Sequence, residues 1–128
     1  MNYLKIVKSM SALQEMMQMR LPYAKAKVMY KIYKNFEDEY KFFVQEEIKL
    51  VNEFAAKDEQ GKPIVYKDGT VKFDNIESKN KYEAKLSELG DLKSDIQIKP
   101  IVLTETDIGE QIISPEIMGK LEGIISFE

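Results

Sequence analysis

The fold is decided by residues 22–54, which read PYAKAKVMYKIYKNFEDEYKFFVQEEIKLVNEF. Apolar side chains recur in this segment at steps of three, four and seven residues, the spacing of one face of an α-helix. They are Met29, Tyr33, Phe36, Tyr40, Phe43, Leu50 and Phe54. Because no Gly or Pro occurs between residues 23 and 57, the pattern predicts one uninterrupted helix approaching ~50 Å, at ~1.5 Å per residue. Few chains of this size bury so long a stripe alone, so we expect it to pack against a first helix and against another subunit, which predicts a homo-oligomer.

A first helix is predicted upstream of this segment. Residues 2–19 carry apolar side chains at the helical period, although a strand over residues 3–7 with a helix starting at Ser9 or Ser11 fits as well. Leu21 should be extended because the residue before a proline disfavours the α region, and Pro22 suits the first turn of a new helix. The two helices predict an antiparallel helical hairpin over residues 1–60.

The remainder of the chain predicts shorter elements. Gly61 and Pro63 should end the long helix, and Asp68-Gly69 is the signal of a type I′ turn in a β-hairpin. Further predicted elements are a short helix closed by Gly90, a strand over residues 94–103 in which Pro100 implies an edge or a strand end, a short helix started by Ser114-Pro115, and a last strand over residues 124–127. We therefore predict an α+β fold with a single domain over residues 1–128, in which a long antiparallel helical hairpin is attached to a small antiparallel β-sheet with short helices in residues 61–128.

Composition excludes several kinds of chemistry. The 128 residues are 44% apolar and 32% charged, which favours a folded domain over a disordered chain. There is no Cys and no His, so disulfides, thiol catalysis, a Ser-His-Asp triad and His- or Cys-based metal sites are excluded within one chain. We predict no catalytic residue, no metal and no cofactor.

Carboxylates on the long helix are the remaining candidates for catalysis, because Mg²⁺ prefers oxygen ligands. All-helical nucleotide pyrophosphohydrolases need a Glu-Glu-x-x-Glu run and a matching Glu-x-x-Asp on a second helix. Here Leu50 stands where the third Glu of the run should be after Glu46-Glu47, and the only match to the second motif, residues 88–91, lies at a predicted helix end. The acids of the long helix flank its apolar stripe on the side expected to face water. A Mg²⁺-dependent nucleotide hydrolase is therefore only the third hypothesis for function. The acids Glu105, Asp107 and Glu110 lack the spacing of a calcium loop and are predicted to be loop charges.

Positive charge is concentrated at one end of the chain. Residues 1–34 carry seven cationic side chains against Glu15 alone, whereas residues 35–128 carry twelve lysines and twenty-one carboxylates. We predict a ligand-binding site formed by Arg20, Tyr23, Lys27, Tyr30, Lys31 and Lys34. A helix N-terminus attracts anions, tyrosine stacks on bases and arginine pairs with phosphate, so a small anionic nucleotide or an acidic host protein surface fits this set. A sequence pI of 5.2 disfavours nucleic acid. Two alternatives stay open: the tyrosines belong to the core and the lysines to solvent, or the charge asymmetry holds two copies head to tail.

No targeting or membrane segment is predicted. Lys5 and Lys8 interrupt the apolar run that a signal peptide needs, and no window approaches the ~20 apolar residues of a membrane span. We expect a cytoplasmic protein without a membrane partner.

Several short runs resemble a group of small, mostly uncharacterised proteins found in phages and prophages of Gram-positive bacteria. The resemblance covers residues 20–100 and lies in Leu21-Pro22, Tyr30-Lys31-Ile32, Lys34-Asn35, Asp58-Glu59 and Gly61-Lys62-Pro63. It implies a phage origin and the host bacterial cytoplasm, and it carries no known functional residue. Such proteins act by occupation, so the first hypothesis is a non-catalytic protein that counteracts a host function, antiphage defence in particular, by sequestering a nucleotide signal or blocking a host protein. The alternative is a structural or assembly adaptor of the virion.

Overall fold

The computed structural model describes all residues from Met1 to Glu128. Five helices and two strands follow one another in the order α1 (Tyr3–Met16), α2 (Tyr23–Phe54), α3 (Ile76–Asp91), β1 (Ile101–Leu103), α4 (Glu105–Ile108), α5 (Pro115–Lys120) and β2 (Ile125–Phe127). No helix combines the length and the apolarity that a membrane-spanning segment requires.

Helix α2 is the continuous 32-residue helix that the apolar period predicts. Its boundaries differ slightly from the prediction. Pro22 occupies the N-cap position with an extended ψ of 148°, so it precedes the first turn instead of belonging to it. The helix ends at Phe54, before Gly61 and Pro63, because Ala55 turns extended with a ψ of 149° and the N–H of Ala56 donates to the carbonyl of Lys72.

Helix α1 resolves the open question about residues 3–7, which are helical. Asn2 caps the helix, since its side-chain oxygen accepts a hydrogen bond of 2.9 Å from the N–H of Lys5. The ring of Tyr3 at the start of α1 lies 5.4 Å from Phe42 and 6.5 Å from Phe43, while residues 17–22 join the opposite ends of the two helices. The two helices therefore run antiparallel, and α1 covers only the N-terminal part of α2.

Helix α3 covers the C-terminal part of α2. Leu50 of α2 and Leu89 of α3 line one small cleft, and the carbonyl of Leu92 just after α3 accepts a hydrogen bond of 3.0 Å from the N–H of Tyr3. Helices α1 and α3 thus meet end to end along α2. Gly90, predicted to close this helix, lies within it, where a Cβ would be 3.5 Å from that of Leu4. This is an ordinary contact distance, so the junction between the two helices has room for a methyl group at residue 90.

The antiparallel sheet predicted for the C-terminal part is wrong. The only sheet has two parallel strands, with Ile101 opposite Ile125 and Leu103 opposite Phe127. Parallel pairing needs a crossover, and α4 and α5 supply it by connecting β1 to β2. Of residues 94–103, predicted as a strand, only Ile101–Leu103 form one, and residues 94–100 belong to no helix or strand. Pro100 immediately precedes β1, in agreement with its predicted place at a strand end.

The predicted β-hairpin forms only isolated antiparallel bridges, Lys57 with Pro63 and Val65 with Val71. Its turn is not type I′, because no residue other than glycine has a positive φ and type I′ requires two. The N–H of Gly69 donates to the carbonyl of Tyr66 at 2.9 Å, and the N–H of Tyr66 donates to the carbonyl of Thr70 at 2.8 Å. This is a three-residue loop in which Gly69, at φ +87°, takes the left-handed position.

The core lies at one end of the molecule and draws on both predicted parts of the chain. Its most deeply buried apolar side chains are Ile6, Leu13, Met16, Met29, Phe36, Leu103, Leu121 and Ile124. In contrast, no residue between 57 and 88 is buried. Residues 101–128, called here the tail, therefore complete the core around α1 and the N-terminal half of α2. The opposite end of the molecule, which includes residues 57–88, has little core of its own.

Candidate functional site

Five of the six predicted site residues lie on one outward face of α2, called here the basic face: Tyr23, Lys27, Tyr30, Lys31 and Lys34. Steps of four, three and four residues along a helix place side chains on one side, and the buried residues Met29 and Phe36 occupy the other. Tyr23 is 81% exposed and Tyr30 is 54% exposed, so these two tyrosines do not belong to the core. The helix presents two aromatic rings and a row of lysines to solvent.

Charge on the basic face is strongest at Lys27 and Lys31, which take part in no salt bridge. Lys34 is different because its Nζ lies 2.9 Å from Oε1 of Glu37, and Nζ of Lys41 lies 3.5 Å from the same oxygen. The hydrogen bond from Lys34 lowers the pKa of Glu37 to about 2 and raises that of Lys34. The charge of Lys34 is therefore partly compensated within the helix.

Arg20, the sixth predicted residue, lies in the connection before α2. Its backbone is held by Gln111: the N–H of Arg20 donates to Oε1, and Nε2 of Gln111 donates to the carbonyl of Arg20, both at 2.8 Å. Its side chain takes part in no salt bridge. This reciprocal pair fixes the α1–α2 connection against the tail and places Arg20 between the basic face and the loop that carries Gln111.

Lys25 points away from the basic face. Its Nζ lies 3.9 Å from Oδ2 of Asp107 and donates a hydrogen bond to the carbonyl of Val102. Asp107 also accepts from the N–H of Thr104, and this hydrogen bond lowers the pKa of the carboxyl group. Asp107 is thus a capping residue of α4 and a partner of α2, whereas the sequence predicted a loop charge. The Thr-x-x-Asp spacing of a capping box was a signal for this role.

An open cleft in the tail, called here the tail cleft, was missed from the sequence. Its volume is about 760 Å³, and its floor is apolar, formed by Leu103, Ile108, Ile113, Met118 and Phe127. Glu105 and Glu128 also line it, and no lysine or arginine does. Ile112 at its edge is 93% exposed. The only sequence signal was the apolar pair Ile112-Ile113 in the non-helical segment between α4 and α5.

Three of the six carboxylates of α2, those of Glu37, Glu39 and Glu46, are engaged in local contacts. Glu46 and Glu88 line one small cleft between α2 and α3, but each lies beside a lysine, with Oε1 of Glu46 2.9 Å from Nζ of Lys49 and Oε2 of Glu88 3.6 Å from Nζ of Lys85. No group of three or more carboxylates is close enough to hold a metal ion.

Glu39 corrects the expectation that the acids of the long helix face water. Its Oε2 accepts a hydrogen bond of 2.6 Å from the hydroxyl of Tyr3, between α1 and α2. Burial of Tyr3, together with this hydrogen bond, raises the pKa of the phenol to about 12. Glu39 therefore helps to dock α1 on α2.

Comparison with known proteins gives no match, whether to a protein-family model, to a curated protein or to a solved structure. The resemblance to phage and prophage proteins therefore stays a prediction.

Proposed function

We propose that this chain is a non-catalytic, phage-encoded protein that counteracts a host function, antiphage defence in particular, by binding an acidic surface of a host protein in the bacterial cytoplasm. The observation that carries the proposal is the basic face, where Tyr23 and Tyr30 are exposed beside Lys27 and Lys31, which take part in no salt bridge. Tyrosine is enriched among the residues that dominate protein–protein binding energy, and a cluster of positively charged lysines accelerates encounter with an acidic partner.

The shape of the basic face favours a protein partner over a nucleotide. Small ligands bind in concave sites that bury most of their surface. None of the main clefts of this structure is lined by a residue of the basic face. A convex helix surface is instead suited to lie against a partner of its own size. Blocking a host protein is therefore the better-supported of the two modes of action.

The proposed phage origin rests on the resemblance at residues 20–100. The proposed non-catalytic role rests on composition and on the salt bridges that Glu46 and Glu88 form with lysines. A chain without His or Cys keeps only carboxylates, lysines and tyrosines for catalysis. Glu46 and Glu88, which line the small cleft between α2 and α3, are each within salt-bridge distance of a lysine.

Affinity capture from the lysate of a Gram-positive bacterium that carries defence systems tests the proposal. Three baits are compared: the wild type, the double variant Lys27→Glu/Lys31→Glu, and the matched control Lys67→Glu/Lys79→Glu. The control makes the same charge change at two exposed lysines that take part in no salt bridge at the other end of the molecule. We expect the wild type and the control to retain the same acidic host protein and the double variant to lose it.

The captured protein is then purified, and its affinity is measured at low and high salt. An affinity that falls with salt for the wild type, and is already low for the double variant, supports the proposal. Retention of the same protein by the double variant would contradict it, as would capture of virion proteins alone. Binding of cyclic or linear nucleotides in calorimetry would show that the ligand is a nucleotide and not a host protein. Mg²⁺-dependent nucleotide turnover that is lost in Glu47→Gln would show that the chain is an enzyme.

A further inference from the structure

We infer that the tail cleft binds the basic face of a second copy of this chain. The inference does not rest on an outside partner, because both surfaces belong to the same molecule.

The two surfaces have complementary shapes. The basic face is a convex helix surface on which Tyr23 and Tyr30 project seven residues apart, a separation of ~10 Å along the axis at ~1.5 Å per residue. The tail cleft is concave, and its volume of about 760 Å³ lies within the range of protein sites that take up bulky apolar groups. A helix that inserts aromatic anchors from successive turns into an apolar groove is a recurring mode of recognition.

The two surfaces also carry opposite charge. Glu105 and Glu128 line the cleft, and Glu110 belongs to the loop that forms its edge. The only cation among residues 104–128 is Lys120, whose Nζ lies 3.2 Å from Oε1 of Glu116. Lys27 and Lys31 have no acidic partner within their own chain. Seating the helix in the cleft brings lysines to a lining that holds two carboxylates and no lysine or arginine.

Within one chain the contact cannot form. The core side of α2, which carries the buried residues Met29 and Phe36, faces away from the basic face, and Lys25 attaches α2 to β1 through the carbonyl of Val102. The basic face therefore points away from its own tail, and only another copy can place it in the cleft. Because the contact joins two different surfaces, it either closes reciprocally between two copies or continues head to tail.

Self-association would also cover the surface assigned to the host protein. If both interactions exist, copies of the chain and the host protein compete for Lys27, Lys31 and the two exposed tyrosines. Dilution would then release the basic face, and a saturating host protein would dissociate the oligomer.

Sedimentation velocity over a concentration series tests the inference. We expect reversible association of the wild type that weakens as salt rises, since the Debye length falls from ~10 Å at 0.1 M to ~3 Å at 1 M. The double variants Lys27→Glu/Lys31→Glu and Glu105→Lys/Glu128→Lys should each weaken association at least about tenfold, because like charges then face each other across the contact. The control Lys67→Glu/Lys79→Glu should associate as the wild type does.

A charge swap gives the decisive result. The quadruple variant Lys27→Glu/Lys31→Glu/Glu105→Lys/Glu128→Lys restores opposite charges across the same contact, so it should recover association to within about tenfold of the wild type. A mixture of the two double variants should associate for the same reason. Tyr30→Ser, which changes no charge and removes an exposed ring, should weaken association by about tenfold without changing the melting temperature.

Three results would overturn the inference: a wild type that stays monomeric at all concentrations, association that ignores both double variants, or a quadruple variant that fails to recover although its circular dichroism and melting temperature match the wild type. A monomer whose cleft instead binds a synthetic cationic peptide would assign the cleft to an outside partner and reject the second copy. Sedimentation uses the purified chain alone, so its result does not depend on whether any host protein is captured. The two proposals can therefore fail independently.

Discussion

The two halves of α2 have the same apolar period, but their apolar side chains are buried to different depths. In the N-terminal half, Met29 and Phe36 are buried in the core that α1 and the tail of the chain complete. In the C-terminal half, Leu50 and Phe54 continue the same stripe but are only half-buried, against α3 and the bridged segment that follows α2. Helical period thus identifies which face is apolar, whereas the depth of burial depends on how many layers the rest of the chain brings to that face.

This difference should be largest in the free energy of unfolding that is lost when a phenylalanine ring is removed from each half. Phe36→Ala should destabilise the protein by ~3–5 kcal/mol, because a fully buried Phe leaves a cavity in the core, whereas Phe54→Ala should cost ~1–2 kcal/mol. Denaturant unfolding followed by circular dichroism measures both. Phe36→Leu, which keeps most of the buried volume, serves as the milder control if the alanine variant fails to fold. Equal costs at the two positions would mean that the two halves do not differ in packing.

Tyr3 tests the point at which the two halves meet, since its ring lies beside both Phe42 and Phe43. The pKa of Tyr3 is raised to about 12 in the folded protein from an ordinary value of 10.0, so above pH 10 the unfolded state releases its proton more readily. Stability from this group is complete below pH 10 and is lost as pH rises toward 12.

Tyr3→Phe should lower stability at pH 7 by ~1 kcal/mol through the lost hydrogen bond to Glu39, and it should flatten the decline between pH 10 and 12. Thermal melts across this range measure both effects. The control Tyr23→Phe changes a ring that is 81% exposed and should leave the whole profile unchanged. An alkaline decline that is equally steep in Tyr3→Phe would show that another group causes it.

Gly90 gives the smallest expected effect and probes the contact between α1 and α3. An added Cβ would lie 3.5 Å from that of Leu4, an ordinary contact distance, and Gly within a helix is less favourable than Ala by ~0.5–1 kcal/mol. Gly90→Ala should therefore stabilise the protein by ~0.5–1 kcal/mol in denaturant unfolding. A loss of stability would show that the two helix ends are closer or less adaptable than this geometry indicates.

Local signals in the sequence predicted the elements that local physics determines. The period of residues 22–54 predicted α2, and Ser114-Pro115 forms the predicted start of α5, with Ser114 Oγ accepting from the N–H of Ile117 at 3.2 Å. The shared face of Lys27, Lys31 and Lys34 followed from their spacing, because helix geometry alone decides which side chains lie together, whereas the sequence left open whether Tyr23 and Tyr30 belong to the core.

The features that the sequence did not predict depend on contacts between distant segments. Parallel pairing of β1 with β2 requires α5 to dock on α1, where the carbonyl of Lys120 accepts a hydrogen bond of 3.1 Å from Nζ of Lys5. The tail cleft is assembled from β1, α4, the following loop, α5 and β2, so no single run of residues reveals it. Gly90 looked like a helix end because its neighbour Leu4 is far away in the sequence.

The contact between α1 and Lys120 has a consequence for the order of events during synthesis. Oγ of the buried Ser9 lies 3.3 Å from the carbonyl of Lys120, and the two residues are 111 positions apart. Ile6 and Leu13 share one core cluster with Leu121 and Ile124, so that core cannot be completed until the ribosome has made residues more than 100 positions downstream of α1. Until Leu121 and Ile124 are made, the newly made helices keep part of their apolar surface open to other proteins.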